Sequence, residues 1–169
     1  MLIYGPPTGA AMEAAQLRKL VGYNQWANEK ILKAVEGITA EELTRPVDAY
    51  FGTIAANLQH ILMATRIWLV RWKGAVPPML DTPVHGSWSH AYAATHAEFR
   101  SFVEALTDSE TQRIVHYKNT KGQPFQMPLD QLVAHVVNHG THHRAEIGML
   151  LERMGRSPGD MDYVYYCLS

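Results

Sequence analysis

The chain has 169 residues, 47% of them hydrophobic, with fifteen Lys and Arg against sixteen acids and a net charge of −1. That length predicts one domain over residues 1–169, large enough to bury a core without disulfide staples. The even charge, without a basic run, excludes a nucleic-acid surface, and the apolar stretches fall short of the ~18 residues that a membrane span needs.

Met1 to Ala11 lacks the basic start and long apolar run of a signal peptide. Cys167 is the single cysteine, so neither an internal disulfide nor a thiolate cluster can form, which fits a reducing, cytoplasmic setting. Helix one is predicted from about Ala10 to Glu36, where Leu17, Leu20, Val21, Trp26, Ile31, Leu32 and Val35 recur near the helical period and Gly37 follows as a stop. Thr39 ahead of Glu41, Glu42 and Leu43 predicts a short extra turn, closed by Pro46.

Helix two begins after Gly52 with Thr53 as its N-cap and runs to about Trp72, with Gly74 at its end. Pro77, Pro78 and Pro83 make Gly74 to Gly86 a loop. Helix three is expected from about Ser87 to Leu106, with Ala91, Phe99, Phe102, Val103 and Leu106 on its apolar side. From Arg113 to Met127 the strand formers Ile114, Val115, Tyr117 and Phe125 flank Asn119-Thr120-Lys121-Gly122, a turn signal. A small hairpin or an extended crossover is expected there. Helix four starts near Pro128, continues to Met154 and stops at Gly155. The tail, with Pro158, Tyr163, Tyr165 and Tyr166, suits a short helical turn that packs back. Four long helices in one chain predict an all-α four-helix bundle.

Nine histidines need an explanation, because four of them fall between His135 and His143. Residues four apart on a helix stand one above the other, ~5–6 Å apart at Cβ, so two imidazoles can converge on one ion. His135 and His139 have this spacing, and so do His139 and His143. Leu132, Val136, Ile147 and Leu150 flank the line through His139 and His143, which turns that pair toward the interior at mid-helix. His135 lies a turn nearer the helix start, at the mouth of such a site or just behind its ligands.

Two imidazoles leave a metal under-coordinated. His60 is the best third donor, in the middle of helix two between the small residues Ala56 and Ala64 and beside Leu58, Ile61, Leu62 and Trp68. His116 falls in the strand-like segment, His85 and His90 border the proline-rich loop, and His96 sits among polar positions. His85, His90, His96 and His142 read as solvated side chains. Three neutral imidazoles with one open position form the ligand count of a catalytic zinc site, and imidazole also suits nickel, iron and copper. The open position would hold a water or a thiol.

Other residues leave alternatives open. Trp26, Trp68 and Trp72 fit a core or a pocket wall. Gly140, costing a helix interior on the order of 1 kcal/mol relative to Ala, fits a close helix approach or simple tolerance. Arg144 points off the metal line and fits an anchor for an acidic group or a surface ion pair. Glu146 is the nearest, weakly placed candidate for a general base.

Tyr23-Asn24-Gln25-Trp26-Ala27-Asn28, Phe51-Gly52-Thr53-Ile54 leading to Leu58-Gln59-His60-Ile61, Arg71-Trp72-Lys73-Gly74, Tyr117-Lys118-Asn119 with Gly122, and above all His135 to Arg144 together resemble the DinB/YfiT-like family of metal-dependent enzymes. The resemblance implies an up-up-down-down four-helix bundle, often a homodimer. It implies that His60, His139 and His143 are ligands of a divalent metal, zinc or nickel; iron or manganese is a further expected occupant of the three-imidazole site. It implies thiol-dependent S-transferase or isomerase chemistry with a low-molecular-weight thiol for some members. Where the family commonly has Gly-Gln after His-Arg, this chain has Ala145-Glu146, which alters the pocket wall and leaves the metal site alone. The expected function is therefore a metal-dependent transferase or hydrolase acting on a small molecule. The alternative is a non-catalytic, stress-related metal- or small-molecule-binding protein. No nucleic acid or membrane is expected as a partner.

Overall fold

The computed structural model describes residues 11–46, 52–77, 84 and 86–169. The predicted helix start at Ala10, the rest of the Met1 to Ala11 stretch save Ala11 itself, Phe51, Pro78, Pro83 and His85 lie outside them.

In chain order the elements are α1 (Ala14–Ala34), α2 (Ala40–Thr44), α3 (Ile54–Trp72), α4 (Trp88–Glu104), α5 (Asp108–Thr111), β1 (Ile114–Lys118), β2 (Pro124–Pro128), α6 (Leu129–Arg153) and α7 (Tyr163–Leu168). The helix starts follow the side-chain caps in the sequence. Thr53 Oγ1 accepts the Ala56 N–H at 2.9 Å, Ser87 Oγ accepts from His90, and Thr39 with Glu42 closes a capping box over α2. Each such cap satisfies a backbone donor that would otherwise be stranded, typically worth ~1 kcal/mol. Helix three is shorter than expected. It stops at Glu104, and the chain turns into α5, which the sequence reading missed because its four residues carry no apolar period.

The strand-like segment is a hairpin. β1 and β2 pair antiparallel with Ile114 opposite Pro128 and Lys118 opposite Pro124. Asn119 Oδ1 accepts from the backbone N–H of Lys121 and Gln123, and Gly122 takes the positive φ (77°) that the turn requires. β1 rests on α3, and β2 rests on α6.

The four long helices pack in pairs: α1 and α3 each lie against both α4 and α6. At the C-terminus α7 returns to α1, where Gly22 makes room for it, since a Cβ at Gly22 would meet the Tyr166 hydroxyl. No described helix is long and apolar enough to cross a membrane.

Two apolar clusters occupy opposite stretches of these helices. One gathers Leu17, Val21, Leu69, Trp72, Phe99, Val103, Leu132 and Val136. The other gathers Ile31, Leu58, Ile61, Leu62, Tyr92, Ile147, Leu150 and Leu151. Burying each large aliphatic side chain stabilises the fold by ~1.5–3 kcal/mol, so these clusters supply the main drive to fold. Between them the buried residues change character. Asn24 and Asn28 of α1, His96 of α4, and His143 and Arg144 of α6 form a polar layer across the middle of the helices. Groups of this kind are costly to bury unless each is hydrogen-bonded.

Candidate metal centre

His60 projects from the middle of α3, His139 and His143 from successive turns of α6. The ligand atoms of these three side chains all lie within 4.8 Å of one another. The His60 and His139 Nε2 atoms are 2.9 Å apart, one ring donating to the other. Ring centroids stand 4.9 Å apart for His60 and His139, 4.6 Å for His60 and His143, and 4.5 Å for His139 and His143. Among the described residues, no Cys, Asp or Glu and no further His joins this group.

The third imidazole is fixed from behind. His143 is buried, and its Nδ1 lies 3.0 Å from Oδ1 of Asn57, which is fully buried one turn before His60. The amide oxygen can only accept, so Nδ1 must carry the proton and Nε2 keeps its lone pair. Asn57 is oriented in turn by its Nδ2, which donates to the carbonyl of Thr53, the N-cap of α3. This chain from a cap to an amide to an imidazole sets tautomer and ring orientation together, the usual task of the groups behind a metal ligand.

Burial holds all three rings neutral. Desolvation lowers the pKa of His60 and of His143, against the opposing charge of Glu146. Desolvation, reinforced by the surrounding histidines, takes His139 to about 4. Imidazoles that stay unprotonated at neutral pH are ready to donate to a metal. The donor set therefore fits a divalent transition metal. Two nitrogens at ~2.0–2.1 Å from a tetrahedral ion stand about 3.3 Å apart, so the 2.9 Å His60–His139 pair need only open by a few tenths of an ångström.

The remaining predicted residues separate cleanly. His135 is exposed on α6, stacks on His139 at 5.9 Å and meets the edge of Trp68 at 5.5 Å. It borders the triad and is not part of it. His90, His116 and His142 are exposed. Trp72 belongs to the core, Trp26 is half-buried beside Tyr23 and Tyr166, and Trp68 stands between His135 and Tyr117. Glu146 is half-buried, and its Oε2 is enclosed without a hydrogen-bond partner among the described residues.

Two expectations are corrected. His96 is not solvated: it is 6% exposed, its Nε2 lies 3.1 Å from Nδ2 of Asn28, and burial pushes its pKa to about 4. Its polar neighbours in sequence concealed that it faces α1. Arg144 is neither at the surface nor paired with an acid among the described residues. It is 1% exposed and donates to Oδ1 of Asn24 at 2.7 Å, Oδ1 of Asn28 at 3.0 Å and Oγ1 of Thr141 at 2.9 Å. Its guanidinium also sits 5.6 Å from the centroid of the Tyr23 ring. Gly140 is the close approach between α1 and α6, because a Cβ there would lie 2.8 Å from Arg144 Nη1 and 3.0 Å from Asn24 Oδ1. The sequence reading assigned no role to Asn24, Asn28 or Asn57. The available signal was an asparagine pair four apart inside an apolar stripe, and an asparagine one turn from a candidate ligand. Both are poor choices for a helix interior unless the side chain has work to do.

Comparison with known proteins agrees with this geometry. A family model described as the DinB family matches residues 12–168. The chain is 22% identical over 157 residues to "Protein DinB" of Bacillus subtilis (strain 168), covering 88% of this chain and 91% of that protein. It is 24% identical over 160 residues to a protein of Geobacillus kaustophilus (strain HTA426) named "Putative metal-dependent hydrolase", covering 85% and 88%.

Proposed function

This chain belongs to the DinB family, and on that premise we propose that it is a metal-dependent enzyme that holds one divalent ion through His60, His139 and His143 and acts on a small molecule. The observation that carries this reading is the convergence of three neutral imidazoles from two helices, with Asn57 fixing the tautomer of the third. When bound, a zinc or nickel ion, or iron or manganese, supplies a Lewis acid that makes a water or a thiol nucleophilic at neutral pH.

The chain's own residues would do the rest. His60, His139 and His143 commit their lone pairs to the ion and so are not general bases. Glu146 lies one turn beyond His143, near enough for its charge to raise the pKa of both His60 and His143. Glu146 is the candidate to accept the proton of a water or of a low-molecular-weight thiol entering the site, once its carboxylate, one oxygen of which is enclosed, turns toward the ion. Three protein donors without a fourth among the described residues favour catalysis over a closed structural site. Thiol transfer and hydrolysis both suit this arrangement.

The same reading takes residues 1–169 as one domain, an up-up-down-down four-helix bundle working as a cytoplasmic homodimer. The pairing of α1 and α3 each with α4 and α6 supports that topology, because it puts α1 diagonal to α3 and α4 diagonal to α6, each pair joined by a long crossover, with α3 and α4 side by side. Purified protein, stripped with chelator and then resupplied with zinc or nickel, tests the function in a screen of thiol-transfer and hydrolysis substrates. Activity that appears only with metal is expected; full activity in the stripped protein refutes the mechanism. Metal binding with no turnover would favour the non-catalytic binder.

A further inference from the structure

Beyond the histidine centre, a cavity of about 910 Å³ lies between the end of α3 and the hairpin. Its wall carries two cations, Arg71 and Lys118, and among its described residues there is no Asp or Glu. A concave surface of one charge sign concentrates the opposite sign.

Arg71 is held as a binding fork would be. Its guanidinium lies 4.7 Å from the centroid of Trp68 and 5.4 Å from that of Tyr117. Nη2 donates to the carbonyl of Lys118 at 2.8 Å. The Nε–H is enclosed and meets no acceptor among the described residues, and no carboxylate there pairs with the side chain. A guanidinium has five N–H donors, so most remain to be used. Two rings and one carbonyl fix its plane in advance, which reduces the entropy lost when it grips a carboxylate or phosphate with two parallel bonds. The buried Arg144 spends its donors within the protein, and the exposed Arg100 pairs with Glu104. Arg71 does neither.

The cavity is connected to the histidines by aromatic rings. His139 stacks on His135, His135 meets the edge of Trp68, and Trp68 meets Tyr117, which stacks on Phe125 at 5.8 Å. His60 and Arg71 are eleven residues apart on α3, close to three full turns, so both face the same side, about 16 Å apart along the axis.

We propose that this cavity is an anion-binding subsite in which Arg71 grips the carboxylate, phosphate or sulfonate end of a substrate with a flat or apolar body, whose other end reaches the histidine centre. Reach to that centre rests on the metal-enzyme reading; the anion site itself does not. Arg71 and Lys118 bind the charge, Tyr117 and Phe125 flank the body, and Trp68 backs Arg71 and Tyr117.

The test is a titration of the full chain with benzoate, phenylphosphate and the neutral benzyl alcohol, followed by tryptophan fluorescence and by calorimetry. At least one anion should bind saturably and at least about tenfold more tightly than benzyl alcohol. Benzoate alone points to carboxylate substrates and phenylphosphate alone to phosphate esters. In Arg71→Gln anion affinity should fall at least about tenfold, with zinc content unchanged. Because Arg71 also holds the hairpin, Arg71→Lys keeps the charge and stem and should lose a smaller share of the affinity. Anion binding by Arg71→Gln equal to the parent, equal binding of benzyl alcohol, or no anion binding below about 10 mM overturns the proposal. His139→Ala separates the two readings: it should lose zinc and keep anion binding.

Discussion

Replacing Asn57 with Leu tests whether the amide behind His143 prepares that ring for a metal. Leu has the branching and heavy-atom count of Asn, but its two methyl groups are bulkier and it has no acceptor. The Asn57 Oδ1 contact to His143 Nδ1 (3.0 Å) and the Asn57 Nδ2 bond to Thr53 (3.1 Å) both disappear. Enclosing an imidazole N–H without that acceptor costs ~1–3 kcal/mol, and the extra apolar burial of Leu returns part of it. The bulkier Leu adds an overpacking cost of ~1–3 kcal/mol at this fully buried position, so a net loss of about 2–4 kcal/mol is expected, still within the stability of an ordinary domain. A second effect falls on the lone pair. Without an acceptor at Nδ1 the proton can move to Nε2, the atom needed by the ion, and the ring can swing. Losing such an orienting group typically costs 10–100-fold in metal affinity, or ~1.4–2.7 kcal/mol. Competition for zinc against a colorimetric chelator at neutral pH measures this directly, with circular dichroism to verify folding. Asn57→Asp, which keeps an acceptor for His143 Nδ1, should hold zinc more tightly than Asn57→Leu. An Asn57→Leu protein that binds zinc within about twofold of the parent would refute the reasoning.

Other consequences follow from the same polar layer. His139→Ala removes one of the three convergent imidazoles, so elemental analysis after zinc loading should fall below about a tenth of an equivalent; unchanged content would move the site elsewhere. Gly140→Ala gains ~1 kcal/mol of helix propensity but pushes a methyl onto Arg144 Nη1 and Asn24 Oδ1, both held by hydrogen bonds. Overpacking of this kind costs ~1–3 kcal/mol, so thermal melting should show a lower Tm, and a rise would show that the network yields. The folded pKa of His96 is about 4, well under its ordinary 6.5, through burial and the nearby Arg144, with Glu29 opposing. The unfolded chain therefore takes up a proton as pH falls through 6.5 while folded His96 does not. Stability is fully present above that value and is lost as pH falls toward 4, by up to about 3 kcal/mol from this ring. Metal-free His96→Gln should lose about one proton's worth of slope in denaturant melts across that window. Equal slopes would show that His96 is not part of it.

Periodicity located the four long helices, and spacing located the His139 and His143 pair, because both are local properties. Thr53, Ser87 and Thr39 announced helix starts in the sequence, since a cap needs only a few adjacent residues. The face that His60 turns toward α6 was inferable from its apolar and small neighbours. The packing of α1 on α6 was not. Asn24 and Asn28 looked like ordinary polar residues, and their partner Arg144 lies more than a hundred residues away. Nor could the sequence tell a solvated His96 from an enclosed one, because that depends on which helix covers it. The hairpin was legible from Asn119 to Gly122, whereas its seating on α3 and α6, which creates the cavity beside Arg71, is a matter of tertiary contact.

His143 and Arg144 are consecutive, so their side chains leave α6 about 100° apart. One turns to α3 through Asn57, the other to α1 through Asn24 and Asn28. Any rotation of α6 about its axis would drag a charge off its amide oxygens and strand it among hydrocarbon. The helix is thus keyed in its seat, and the imidazoles keep their bearing whether or not an ion sits between them. An ion arriving at such a seat has little ordering left to impose. It can be exchanged for another without the helices parting, so the metal this chain carries would be set by which ions its surroundings supply as well as by its own donors.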